Sequence, residues 1–507
     1  MAQARRAQMH KGAGRAGKFS QVCCHGHAVP WRRHASFPSA AAGAVEPRAS
    51  LARLEQVVAN GATREELQHV SERLTDQLSR NWSGFKAEYV MRMLGDYGRA
   101  SYCHPPLMKA AAQLTLRGMP SFPPYCLSSI VNSFARIGFK HPQLFDAVAK
   151  HIANAAVCNQ LSPAGISSLV YGYATARHSP GTMLDACSER LRAAASELDG
   201  RNAASILNSY SWLDECDPAV FGVLGTALMM TKPDGLEMHH MTIAMNAHAK
   251  CGVKNKRLMF LLAQYTADRH EEMTPTNVAQ IVHAFAKLEC YDHQLFHRLQ
   301  SKLCASEPDQ RAHALSAYKV HEIANVVHGL AKLKCGGSTV YQALFGECER
   351  RSDWHWAREP RCVAQVLDAM RRRQAHGVNE QLLLLLMRVF VEHIDSFVVH
   401  SLTQTSWCLV ELDALEHAEK LPANLLPIDA ASQETASGCL LRMSLSRLAA
   451  FDAARPLTPT QRMHVQHFVR SLHYRCAQDY GHLPSPLRNF GKTLFDVPTS
   501  VVSSVGR

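Results

Sequence analysis

The sequence has no run of about 18 apolar residues, the length a helix needs to cross a bilayer. Its closest approach, Leu382 to Val391, is interrupted by Met387-Arg388 and is too short. No membrane insertion is expected. Long strand-like alternations of Val, Ile and Thr are also missing, whereas helix formers (Ala, Leu, Met, Lys, Arg, Gln) dominate, which sets sheet architectures aside. No Cys-x-x-Cys pair occurs among the 16 cysteines, which are scattered along the chain. Most, such as Cys187, Cys348 and Cys408, fall at apolar helical positions. They read as small buried hydrophobes of a reducing compartment, with neither a zinc site nor a disulfide framework. There is no Gly-rich phosphate loop. His321-Glu322 lacks the second His of a zinc-protease motif, and His239, His240 and His248 have no Cys or carboxylate partner at ligand spacing. These histidines read as polar surface or core-edge residues. The chain is therefore expected to be no enzyme, with no catalytic residue, cofactor or metal site.

Acid is absent from one region altogether. Residues 1–45 hold seven Lys/Arg (Arg5, Arg6, Lys11, Arg15, Lys18, Arg32, Arg33), no Asp or Glu, and many Ala, Ser and Gly. That is the composition of an organelle transit peptide, without the apolar core of a secretory signal. It points to the mitochondrial matrix, with the chloroplast as alternative, and to a segment that is disordered before import. Without it the formal charge falls from +12 to about +5, because 48 Lys/Arg then face 43 Asp/Glu. Bulk charge thus makes no case for a polyanion partner; a basic face is needed.

What is present is a repeat. Ser133-Phe-Ala-Arg-Ile-Gly-Phe139, Gly172-Tyr-Ala-Thr-Ala176, Ala247-His-Ala-Lys-Cys-Gly252, Ala284-Phe-Ala-Lys-Leu288 and Gly329-Leu-Ala-Lys-Leu333 share one signature. With the third residue of each as reference, the series is Gly98, Ala135, Ala174, Ser211, Ala249, Ala286, Ala331, Arg371 and Glu411. Its spacings are 37, 39, 37, 38, 37, 45, 40 and 40 residues, the longest carrying a polar insertion at Ser306–Arg311 that reads as a loop. Eleven residues before four of the references stand Pro124, Pro163, Pro275 and Pro360, with Ser162 and Thr274 preceding two of them. Proline at the first helical position loses no intrahelical bond, so these are helix starts. Apolar residues follow at five, four and one before the reference (Ile130, Val131, Phe134; Ile281, Val282, Phe285), lining one helical face. Two before it the residue is small, as at Ser133, Gly172, Ser209, Ala247, Ala284, Gly329 and Ala369. A second helix places apolar residues nine, ten and thirteen after the reference (Leu144, Phe145, Val148; Leu295, Phe296, Leu299).

One such hairpin cannot bury both faces, so neighbours must stack. The expected fold is all-α: an α-solenoid of about nine helix-hairpin repeats. The domain reading is a transit segment over 1–45, N-terminal cap helices over 46–80, the solenoid over 81–415, and C-terminal cap helices with a flexible tail over 416–507.

Three positions are left unclaimed by the core. Six before the reference stand Ser129, Ser168, Ser205, Gln280, Asn325, Gln365 and Thr405, with Ile243 as the exception. Three before it stand Asn132, Tyr171, Asn208, Asn246, His283, His328 and Asp368. One after it stand Arg99, Arg136, Lys250, Lys287, Lys332 and Arg372. Offsets of three and four align them along one stripe of the first helix. Stacking turns the stripe into two columns of amide, hydroxyl or imidazole groups and one of cations. Cations hold phosphates, and the neutral groups offer hydrogen bonds to base edges, so the stripe suits single-stranded RNA. The candidate RNA-binding residues are Ser129, Asn132, Arg136, Asn208, Asn246, Lys250, Gln280, His283, Lys287, Asn325, His328, Lys332 and Arg372. A plain solvated face is the competing reading.

The Phe-Ala-Lys-Leu core (Phe285 to Leu288, echoed by Leu330 to Leu333) and the following Leu-Phe (Leu144-Phe145, Leu295-Phe296) resemble the heptatricopeptide and octotricopeptide repeats of organellar RNA-binding proteins. They are similar also to the leucine-rich region of the FAST-kinase-domain family. The resemblance covers roughly residues 85–415 and implies a role in mitochondrial or plastid RNA processing, stability, editing, translation or ribosome assembly. Some such proteins end in a nuclease-like RAP domain, which residues 436–507 do not match; they read as two short helices and a polar end. Two alternatives use the same architecture: an armadillo- or HEAT-type scaffold for protein partners, and a structural subunit of an organellar ribosome or RNA-processing complex.

Overall fold

The structure is a computed structural model that describes residues 45–61, 63–80, 85–304, 315–373, 379–428 and 434–495. Residues 1–44 of the segment read as a transit peptide (1–45), and the polar insertion at 306–311, lie outside the described residues. From Pro47 onward the chain forms one compact unit.

Nine first helices carry the nine reference residues: Ala87–Ala100, Pro124–Ile137, Pro163–Ala176, Gly200–Trp212, Met238–Cys251, Pro275–Leu288, Val320–Lys332, Pro360–Arg372 and Val399–Glu411, hereafter repeats 1 to 9. Eight are followed by a second α-helix, from Pro105–Gly118 in repeat 1 to Glu380–Glu392 in repeat 8; the ninth is followed by the 3₁₀ segment Ala414–Lys420. The fold is an all-α solenoid. Helices begin where the prolines place them. Ser162 Oγ accepts from the Gly165 amide at 3.2 Å, and Thr274 exchanges hydrogen bonds with Asn277 in a capping box. Second helices are capped six residues after the reference, by His104, His141, Asp217, Asn255 and Asp292.

Between the two helices the chain turns through a left-handed residue three after the reference. The series is Ser101, Gly138, Arg177, Asp214, Gly252, Glu289 and Lys334, with φ between 50° and 78°. This backbone repeat is more regular than the side chains that occupy it. Only two of the seven are the glycines that the conformation favours.

The apolar positions are buried in register. Ile130, Val131, Phe134, Ile281, Val282, Leu144 and Leu295 are fully enclosed, and Phe285 meets Phe296 edge-on with ring centroids 5.6 Å apart. Successive first helices pack side by side along the whole stack, while successive second helices adjoin more loosely. The small residue two before the reference explains the tight layer. A Cβ on Gly172 would lie 3.0 Å from the backbone of Asn132, and one on Gly329 3.1 Å from the carbonyl of Val282. The first helices thus form the more closely packed, inner layer of the stack. That layer continues beyond residue 415, because Pro459–Arg475 packs on the first helix of repeat 9 as another first helix would. The C-terminal region comprises two long helices, Ala436–Ala454 and Pro459–Arg475, and two short ones, Ala477–His482 and Ser485–Thr493.

Cys187, Cys348 and Cys408 are buried small hydrophobes, as their positions indicate. One cysteine pair departs from that reading. Cys216 and Cys251 are disulfide-bonded, with Cα atoms 5.3 Å apart. They stand 35 residues apart, so the bond ties the turn of repeat 4 to the end of the first helix of repeat 5.

Candidate nucleic-acid interface

The cation column is unbroken from repeat 5 to repeat 8, at Lys250, Lys287, Lys332 and Arg372, and is interrupted before it by Thr175 and Trp212. Lys250 Nζ lies 4.3 Å from the centroid of the Trp212 ring, and Lys287 Nζ donates to the Lys250 carbonyl at 3.4 Å. Trp212 holds in repeat 4 the position that lysine holds in repeats 5, 6 and 7. Burial lowers the pKa of Lys250 and of Lys287, and Arg361 and Lys332 lower that of Lys287 further.

The strongest convergence surrounds His283. Burial comes first, then the charges of Arg361, Lys287, His328 and Lys332, and together they push its pKa down to about 4. Lys287 and Lys332 belong to adjacent first helices, and Arg361 comes from the start of the next. Among the described residues none of these three forms an ion pair with a carboxylate. Four nitrogenous groups thus share one stretch of the inner face over repeats 6 to 8. Like charges held together in this way favour an anion between them.

Arg361 was not among the residues read from sequence. It stands ten before its reference, four before Gln365, and so extends the stripe by one turn toward the helix N-terminus. The same column contains Tyr125, Arg201, His239, Thr276 and His321. That helical offset was the signal available.

Other candidates are differently placed. The two neutral columns are not open surface: their residues are half-buried or buried, and several bond across repeats. Asn132 Nδ2 donates to Ser168 Oγ at 2.9 Å, and Gln365 Nε2 donates to Asn325 Oδ1 at 2.9 Å. His328 Nε2 lies 3.0 Å from Asp368 Oδ2. Arg372 is an exposed residue, but its guanidinium also bonds Asp368 at 2.7 Å, and so does that of Arg371. Burial of Asp368 works to raise its pKa, yet hydrogen bonds from His328, Arg372 and Arg371 outweigh it and hold the carboxyl well below the usual range. In repeat 1, Arg99 is likewise paired with buried Asp96. The side chains of Asn208, Asn246 and Gln280 are half-buried and make no hydrogen bond among the described residues. Ser129 and Arg136 lie two repeats before Trp212; Arg136 is exposed and has no ion pair among the described residues. The structure therefore gathers Asn208, Asn246, Lys250, Gln280, His283, Lys287 and Lys332 into one patch. It leaves Asn132, Asn325, His328 and Arg372 engaged with neighbouring repeats or with Asp368.

Buried His248 is a core residue: its Nδ1 lies 2.9 Å from the Ala244 carbonyl, its ring is edge-on to Phe221, and burial lowers its pKa. Among the described residues no helix is long and apolar enough to cross a membrane.

No protein family's pattern matches the chain, and no curated protein matches it. Among solved structures it is similar to a chain in a homology model of the full-length AP-3 complex in an intermediate open conformation. The two share 11% identity over 86% of this chain and 90% of that one, with a TM-score of 0.33, too slight a likeness to carry an argument.

Proposed function

We propose that this chain binds single-stranded RNA along the inner face of its solenoid, in the mitochondrion or, alternatively, the chloroplast, where it acts in RNA processing, stability or ribosome assembly. The observation that carries the reading is the convergence of the Lys287, Lys332 and Arg361 charges around His283, on helices from three successive repeats. Phosphates of one strand can span such a row, while the unengaged amides of Asn208, Asn246 and Gln280 meet bases. The acid-free N-terminal segment and the repeat resemblance support the organellar setting.

The test uses the full chain and a labelled, unstructured RNA oligonucleotide titrated across a range of salt concentrations. Replacing Lys287, Lys332 and Arg361 together by Gln should weaken binding and reduce the slope of log K against log salt by about 2, at about 0.7 per phosphate for single strands. Replacing exposed Lys109, Lys150 and Arg298 on second helices by Gln should leave the slope nearly unchanged. Equal losses in both variants would mean diffuse attraction only. No loss in either would turn the reading to a scaffold for protein partners.

A further inference from the structure

Trp212 is out of keeping with its position. Six of the nine repeats place a cation one residue after the reference and repeat 3 places Thr175 there, yet repeat 4 presents an indole that is 54% exposed. Its ring N–H has no hydrogen-bond partner among the described residues. The exposed half of the indole gains nothing for folding, since that apolar surface is not removed from solvent. What surrounds it is ordered. The Lys250 ammonium stands over the ring, 4.3 Å from the centroid. Asn208 lies one turn back on the same helix, and Asn246 holds the equivalent place on the next, both with unengaged side chains. The Cys216–Cys251 bond joins the two segments just beyond Trp212 and Lys250, fixing the pair's spacing.

From this arrangement we infer that Trp212 is a stacking platform for one unpaired nucleobase, at the end of the cation row that leads through Lys250 and Lys287 to Lys332. The assignment rests on the RNA reading and sharpens it. Lys250 holds the phosphate beside the stacked base, and the Asn208 and Asn246 amides meet that base's edge. An aromatic face adjoining a phosphate-holding cation is how single strands are gripped without a duplex groove. A flat, neutral base fits an exposed ring flanked by amides better than another phosphate does.

The experiment compares an unstructured RNA oligonucleotide with one of the same length and charge carrying abasic sites, each titrated into the full chain. Trp212→Ala should weaken binding of the intact RNA by about 5- to 150-fold, the range for loss of one stacked base. It should leave affinity for the abasic strand and the salt slope unchanged. Trp212→Phe should retain most of the affinity while losing the tryptophan-fluorescence quenching that intact RNA causes in the wild type. If the wild type binds both strands and Trp212→Ala alters neither, the platform is overturned, the RNA reading stands, and the exposed ring is left to a protein contact. If the wild type binds neither strand, the RNA reading fails and takes this assignment with it.

Discussion

Two clusters of basic groups lie on the inner face, sharing the positions three before and one after the reference, and they are not equivalent. Over repeats 6 to 8, burial and the charges of Arg361 and Lys332 lower the proton affinity of His283 and of Lys287, and among the described residues no carboxylate pairs with the lysines or the arginine. In repeat 8, Arg371 and Arg372, with His328 from repeat 7, close around Asp368, which is 1% exposed. A sequence column records only that a cation recurs. Whether it can hold an external anion depends on the residue that the neighbouring repeat sets beside it. The first cluster is a candidate site; the second is a tie between repeats.

The comparison breaks most severely if the helix beneath one cluster is loosened. Phe285 is 1% exposed on the helix that carries His283 and Lys287. Phe285→Ala should cost roughly 3–5 kcal/mol. Because repeats couple mainly to their neighbours, calorimetry should show a split transition, with the Asp368 region melting near its original temperature. A loss below about 1 kcal/mol would show that the packing register is wrong.

Next in size is removal of the acid that separates the two clusters. Asp368→Asn keeps the side chain's shape but leaves His328, Arg371 and Arg372 without their counter-charge. Chemical denaturation should show a loss of about 2–3 kcal/mol, below the usual figure for a broken buried pair because the guanidinium groups reach water. If the cations so released become equivalent to the first cluster, the salt slope of RNA binding should steepen by about 0.7 for each added phosphate contact. An unchanged slope would mean that their position, not their pairing, keeps them from RNA.

The smallest effect is on protons. His283 has a folded pKa of about 4, depressed from 6.5. Between those values the unfolded chain takes up a proton that the folded chain does not. Stability is thus full above pH 6.5 and falls as the pH drops through that window. A phosphate beside His283 opposes the charges of Arg361, Lys287, His328 and Lys332 and raises its pKa, so binding draws in a proton. RNA affinity should rise as pH falls from 7 toward 5, by at most about tenfold per pH unit, the limit for one linked proton. His283→Gln should flatten that dependence, and an unaltered profile would remove His283 from the site.

Most of the fold was legible because burial imposes a period. Phe134, Phe285 and Leu330 fill one position that only an apolar side chain suits, and Gly172 and Gly329 one that only a small residue allows. The left-handed turn residue was not legible beyond Gly138 and Gly252, since Ser101, Arg177, Asp214, Glu289 and Lys334 carry no common side-chain signal. The site was legible as a stripe, not as a set of contacts. That Asn132 bonds Ser168 whereas the side chains of Asn208 and Asn246 find no partner among the described residues depends on how each helix is rotated against the next, which no single helix encodes. Arg361 was missed because the stripe was followed over three positions and not four. The Cys216–Cys251 bond was missed for a related reason: the two residues hold different offsets, five and two after their references.

That bond has a consequence for the order in which the stack comes apart. It closes a covalent ring around almost one whole repeat, including the second helix Pro218–Met230. A ring closed across a sequence separation of 35 deprives the unfolded chain of conformational freedom worth about 4 kcal/mol by loop-closure arithmetic. In a linear array the two ends fray first and the most constrained junction last. The junction between repeats 4 and 5 is therefore expected to hold longest, with the Trp212–Lys250 pair beside it among the last parts of the inner face to lose its shape.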